Sequence, residues 1–153
     1  MTETPQETAP SLKIHGQYIK DLSFEVPGAP QVFFEPNNEA PDISLQVDVN
    51  ASPVADHAYE VVLRLRIEAR SKDKTLFLSE LDYAGLFTLQ VPEEHLAPCL
   101  MIECPRLLFP YARSIVTTLT RDSGFPPLAL QPLDFVALYR ARLEQQQKPA
   151  GTA

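Results

Sequence analysis

Three residues, His95, Cys99 and Cys104, stand close enough in the chain to raise metal ligation or thiol chemistry. Zinc centres draw four ligands from tight, recognisable pairs. No partner ligand in a recognisable pair is obvious beside this trio, so the pattern reads as buried thiols and a surface histidine in a broken helix. His15 and His57 lie far apart, and neither is paired with a nucleophile, which argues against acid–base or nucleophilic catalysis. A glycine-rich phosphate loop, HExxH, GxSxG and a paired CxxC are all missing from the sequence. What remains is the chemistry of surfaces. Phe33, Phe34, Phe125, Leu128 and Leu130 sit in proline-framed connections, where water-facing residues are the norm. Apolar side chains gathered there mark a binding site, or else they fold down as ordinary core. Asp21 and Glu25 share one strand face, about 14 Å apart at ~3.4 Å per residue, and Leu78 and Glu80 share another. Spaced carboxylates of this kind are either plain solvated positions or an electrostatic seat for a basic partner.

The frame that must hold these residues is one domain of 153 residues. A chain of that length buries roughly two-thirds of the surface its unfolded form exposes. Twenty acidic against 13 basic residues give a net charge of −7, which excludes a protein built to neutralise phosphates, so no nucleic-acid partner is expected. No apolar run approaches the ~20 residues of a membrane helix. The opening MTETPQETAP is neither basic nor apolar and is not read as a secretory signal. Two cysteines cannot make a disulfide framework, and the simplest reading is a soluble protein of a reducing cytosol. Fifteen prolines against five glycines are the unusual count. They cluster at 27–41, 92–110 and 126–132, which are therefore connections or interrupted helices.

Residues 1–10 are polar and expected to be disordered, with an ordered domain over 11–143 and a loose tail over 144–153. From Leu12 to Val26 apolar residues fall on even positions and polar ones on odd, disturbed only by Gly16, Ile19 and Lys20, the period of a long strand with Gly16 as a bulge. Even-numbered Tyr18 belongs to the apolar face and odd-numbered Gln17 to the polar one. A loop over 27–41 follows, long enough to cross a sheet. Ile43, Leu45, Val47 and Val49 alternate in a second strand, ASPVAD turns the chain, and Tyr59 to Ile67 alternate in a third, with Val62 the one exception. SKDK at 71–74 is a hairpin turn. The fourth strand, Thr75–Val91, has Gly85 as a second expected bulge. Beyond Pro92 the period becomes helical. The prolines predict a short helical piece, a break near Cys104-Pro105, and a longer helix capped by Gly124. Asp134 is the expected N-cap of a last helix with an apolar stripe of Phe135, Leu138, Tyr139 and Leu143. The fold class is α+β: a four-stranded antiparallel sheet followed by two helices, the first broken by prolines.

KDLSFEVPGAP at 20–30, YEVVLRLRIEA at 59–69 and CPRLLFPYARSIVTTLTRDSGFPPLALQPLDFVALY at 104–139 resemble SecB, the bacterial protein-export chaperone family. The resemblance spans about residues 12–143. It implies a tetramer built as a dimer of dimers, resident in the cytoplasm. It further implies a chaperone that binds unfolded precursor proteins, keeps them translocation-competent and delivers them to the motor SecA. The implied protein is no enzyme and uses no nucleotide, cofactor or metal of its own. The family's client groove lies between the crossover loop and the loop joining the helices, which assigns Phe33, Phe34, Ile43, Leu45, Val47, Phe125, Leu128 and Leu130 to client binding. The family's acidic SecA surface matches Asp21, Glu25, Leu78 and Glu80. Members often carry a tryptophan in the crossover loop and an acidic C-terminal tail. This chain has no tryptophan, so Phe33 and Phe34 stand in its place, and its last ten residues hold one acid, Glu144, opposed by Lys148. Three other readings stand beside this one: a SecB-like chaperone dedicated to a toxin–antitoxin pair, a small hydrolase using His95 and Cys99, and a purely structural oligomer.

Overall fold

A computed structural model describes residues 9–35 and 39–147. Most of the expected N-terminal tail, positions 36–38 of the crossover loop, and the C-terminal tail from 148 onwards lie outside those residues. The chain runs β1 (Ser11–Glu25), a short 3-10 turn (Gln31–Phe33), β2 (Asp42–Ala55), β3 (Ala58–Ser71) and β4 (Lys74–Gln90). It continues through α1 (Glu93–Pro98), a π-helical segment (Cys99–Glu103), α2 (Cys104–Asp122) and α3 (Phe135–Gln147). Residues 144–147, expected in the tail, are thus the last turn of α3. The strands form one antiparallel sheet in the order β1-β4-β3-β2. The 26–41 connection carries the chain from one sheet edge to the other. β2 is longer than its alternation showed: Pro53 pairs with Tyr59, and the turn proper is only Asp56 and His57. Proline is tolerated there because β2 is an edge strand.

One face of the sheet packs on α2. Val61, Leu63, Leu65, Ile67, Leu81, Phe87 and Leu89 are almost wholly buried, each contributing roughly 1.5–3 kcal/mol by leaving water. Cys104, Leu108, Ala112, Val116 and Thr120 meet them from α2 at four-residue spacing, one stripe of the helix. Gly85 is not a bulge, because pairing runs unbroken through it on both sides. Its missing side chain makes room for two neighbours: a Cβ there would stand 2.6 Å from the Phe87 ring and 2.9 Å from Leu108 Cδ2 of α2.

β1 departs from unbroken alternation. Its register against β4 slips between Ile14 and Gly16 and again between Ile19 and Asp21, and each bulge adds one residue. Between the bulges the two faces are exchanged. Gln17 turns toward the helices, where its Oε1 accepts from the Tyr83 hydroxyl at 3.2 Å. Tyr18 turns away and donates to Glu60. After Lys20 the original parity returns, so Leu22 and Phe24 pack on the core while Asp21, Ser23 and Glu25 face outward.

The first helix is not broken at Cys104-Pro105. α1, the π segment and α2 run on continuously from Glu93 to Asp122. Pro105 lacks an N–H, and in an α-helix its ring would clash with the carbonyl four residues back. The π turn, in which Cys104 N–H bonds Cys99 O, widens the helix just ahead of it. α2 ends as Gly124 predicted. With Gly124 at φ 90°, Phe125 N–H reaches Thr120 O at 3.2 Å and Gly124 N–H reaches Arg121 O at 3.4 Å. Asp134 caps α3, its Oδ1 accepting from Ala137 N–H at 3.0 Å. Of the α3 stripe only Phe135 is buried, and Leu138 and Leu143 remain 37% and 38% exposed. Among the described residues no helix is long and apolar enough to cross a membrane.

Candidate functional site

The two proline-framed loops meet at one end of the sheet. Phe33 packs on Phe125 with ring centroids 5.5 Å apart, and Phe125 packs on Phe77 of β4 at 5.2 Å. Gly124 admits this packing, since a Cβ there would lie 2.8 Å from Phe33 Cε1. Around the aromatic row opens a cleft of about 990 Å³. Val32, Phe33 and Ile43 form one side, Phe125, Pro126, Pro127 and Leu128 line it from the other loop, and Leu76 and Phe77 come from β4. The rim is charged, with Lys74 Nζ 3.3 Å from Glu35.

The structure sorts the eight expected client residues. Phe33, Ile43, Phe125 and Leu128 line the cleft. Phe34 follows Phe33 and is 85% exposed, outside the lining. Leu45 and Val47 are half-buried against the core further along β2. Leu130 folds down as ordinary core, at 7% exposure.

A clamp on the cleft wall escaped the sequence reading. Thr120 Oγ1 accepts from Leu128 N–H at 2.9 Å, and the Thr117 hydroxyl donates to Leu128 O at 2.8 Å. Both backbone groups of Leu128 are therefore held by α2. Thr120 is 1% exposed, so water does not compete for it. The available signal was two threonines three apart inside a helix, beside a proline-rich loop that has few hydrogen bonds of its own.

The other sheet face carries the acidic residues. Asp21 stands opposite Asp82, Ser23 opposite Glu80, and Glu25 opposite Leu78. Adjacent strands lie about 4.8 Å apart, so Asp21, Glu25, Leu78 and Glu80 share one patch two strands wide. Behind it β3 supplies cations. Arg64 grips Asp82 with two bonds, Nε–Oδ1 at 2.8 Å and Nη2–Oδ2 at 3.0 Å, and Arg66 Nη1 meets Glu80 Oε1 at 2.5 Å. The bond to Asp82 holds the Arg64 guanidinium above its ordinary pKa. Glu80 is therefore already engaged inside the chain, an ion pair that neither sequence reading of that carboxylate included. Asp21 and Glu25 are exposed and make no ion pair among the described residues.

His95, Cys99 and Cys104 do not converge on a metal site. His95 points into solvent beside Glu94. Burial pushes both thiols above their ordinary pKa, Cys104 more than Cys99.

Residues 5–146 match the family model described as preprotein translocase subunit SecB. The chain belongs to the SecB family. The protein-export protein SecB of Paramagnetospirillum magneticum is 58% identical over 151 residues, covering 99% of this chain and 97% of that one. SecB of Rhodospirillum rubrum is 52% identical over 149 residues, covering 97% and 92%. Among solved structures, the SecB-like chaperone of Mycobacterium tuberculosis in complex with an antitoxin peptide superposes with a TM-score of 0.67 at 19% identity. It covers 80% of this chain and 90% of that one, and it shows the shared fold. SecB is a chaperone family rather than an enzyme family. The role of this chain is that of a protein-export chaperone, and the toxin–antitoxin reading finds no favour among relatives at 58% and 52% identity.

Proposed function

We propose that this SecB-family chaperone holds extended, unfolded precursor chains in the cleft between its two loops and delivers them to SecA through the acidic outer face. The observation that carries this reading is the aromatic row Phe33–Phe125–Phe77 flanking an open apolar cleft, on a sheet whose opposite face is acidic. Precursors differ in sequence, so a groove serving them all uses apolar pockets and backbone hydrogen bonds instead of side-chain readout. β2 is an edge strand and its start, at Ile43, lies in the cleft. Its outer backbone groups are open to an extended client. Further along, Arg142 of α3 donates to Val49 O at 2.6 Å and closes that edge. Ile43, Phe33, Phe125 and Leu128 contact the client directly, with Phe34 at the rim and Leu45 and Val47 extending the strip.

The chain works as a tetramer, a dimer of dimers in the cytoplasm. Ile14, Ile19, Leu107 and Tyr111 are 36%, 48%, 41% and 54% exposed. Ile19 stands opposite Tyr83, whose ring stacks on Tyr111 at 6.2 Å. An apolar strip thus follows the β1 edge and α2, and a second copy covers it. Several clefts on one client chain convert weak local contacts into firm holding. Release needs no nucleotide from the chaperone, because SecA competes through its own affinity for chaperone and client. In the family the SecA element that docks is a small basic zinc-binding tail, and Asp21, Glu25, Leu78 and Glu80 receive it.

The test titrates a labelled, unfolded precursor and SecA against the same purified protein without nucleotide, with light scattering for the oligomer. Binding of both by a tetramer is expected. A chain that binds precursor but not SecA overturns the delivery half of the reading, and a monomer overturns the assembly.

A further inference from the structure

We propose that Arg64 and Arg66 are specificity-determining residues of the acidic face. They compete inside the chain for the carboxylates that a basic partner must reach, so the face favours a partner with a matching charge pattern over a featureless polycation. The inference rests on the reading of that face as a partner surface and adds residues to it that no resemblance supplies.

The charges lie in rows. β1 presents Asp21 and Glu25, and β4 presents Glu80 and Asp82 beside them. β3 follows with Arg64 and Arg66, and β2 returns to acid with Asp48 opposite Arg64. With strands about 4.8 Å apart, the cationic row runs about 10 Å from the acids of β1. A partner that fits places cations over β1 and acceptors over β3. A plain polycation meets the arginines unfavourably.

The two arginines do not do this equally. Arg64 holds Asp82 with two bonds, and that carboxylate is only 15% exposed. It is a fixed cation. Arg66 and Glu80 make one bond, and their side chains are 43% and 52% exposed. Such a pair adds little to folding, and water or a partner can exchange for either member. Arg66 is the exchangeable guard on Glu80, and a partner's cation takes Glu80 by turning Arg66 away toward its own acceptors.

The test compares Arg66→Gln with Arg140→Gln, a charge control exposed on α3, by anisotropy of fluorescent octalysine at low and high salt. Arg66→Gln should tighten octalysine binding by about 1.5- to 5-fold, the span expected of one exposed ion pair, and by more than Arg140→Gln does. The extra gain should vanish in a Glu80→Gln background and at high salt, and Arg66→Lys, which keeps the charge, should bind as the parent does. The preference for SecA over octalysine should shrink in Arg66→Gln. Equal gains in Arg66→Gln and Arg140→Gln mean that only net charge matters, and a gain that persists with Glu80→Gln means Arg66 does not guard it. Either result overturns the proposal. Failure of the parent chain to bind SecA overturns the delivery reading instead, and the octalysine arm distinguishes the two.

Discussion

Phe33 and Phe34 are neighbours in sequence, yet the structure assigns them different energetic roles that two alanine substitutions separate. Phe33 is 51% exposed. Removing its ring therefore forfeits about half of the ~1.5–3 kcal/mol that full burial of such a side chain is worth, or about 1 kcal/mol. Its ring pair with Phe125 at 5.5 Å adds about 0.5–1 kcal/mol. Phe34, 85% exposed, forfeits about 0.3 kcal/mol on the same scale. In a domain of this size 1 kcal/mol moves Tm by about 2–4 °C, so Phe33→Ala should lower Tm by about 3–8 °C and Phe34→Ala by about 1 °C or less. Client binding should weaken in both: about 5- to 30-fold for the cleft-lining Phe33, as for a central interface aromatic, and less for Phe34 at the rim. Calorimetry at fixed protein concentration and titration of a labelled unfolded precursor read the two effects. A Phe33→Ala protein that loses stability but keeps its client affinity makes Phe33 a core residue and refutes the cleft. Unchanged stability refutes the packing.

Gly124→Ala meets both a left-handed φ of 90° and a Cβ contact of 2.8 Å with Phe33. It should cost about 1–3 kcal/mol in thermal denaturation and reduce client affinity by displacing the Phe33 ring. Thr120→Val leaves the Leu128 N–H without its buried acceptor, so stability should fall by about 1–3 kcal/mol. Hydrogen exchange at Leu128 should speed up while the sheet amides stay protected. Asp134→Ala removes the cap on α3 and should cost about 1 kcal/mol, visible as faster exchange in the first turn of that helix with α2 unaffected.

Sheet and helices were largely legible because burial imposes a period. β3 and the later part of β1 keep one parity, β2 keeps one as far as Pro53, where its register against β3 shifts, and the Gly124 cap and the Asp134 cap follow from local backbone chemistry. The misreadings have local causes. Tyr18 and Gln17 exchange faces because two bulges, each a single inserted residue, cancel over the length of β1, leaving an alternation disturbed only at Gly16, Ile19 and Lys20. Pro105 looked like a break because a proline removes an α-helical bond, while a π turn carries the chain past it without one. Gly85 resembled a bulge, but its small size makes room for Phe87 and for Leu108 of α2, a tertiary fact with no local signature. At the site, the aromatic loops announced themselves by being apolar between prolines. Leu130 was indistinguishable from Leu128 because the point where the loop turns inward depends on α2. The hold of Arg66 on Glu80 was equally hidden, since only strand register sets one opposite the other.

If client and partner use separate surfaces of one chaperone, single substitutions should separate the two bindings. The most direct measurement titrates unfolded precursor and SecA, each in turn, against Glu80→Lys and Phe33→Ala. Glu80→Lys should weaken SecA by about 5-fold or more at low salt, mainly by slowing association, and leave precursor affinity unchanged. Phe33→Ala should do the reverse. Equal loss of both ligands in either variant, or SecA binding indifferent to Glu80→Lys, would contradict the account.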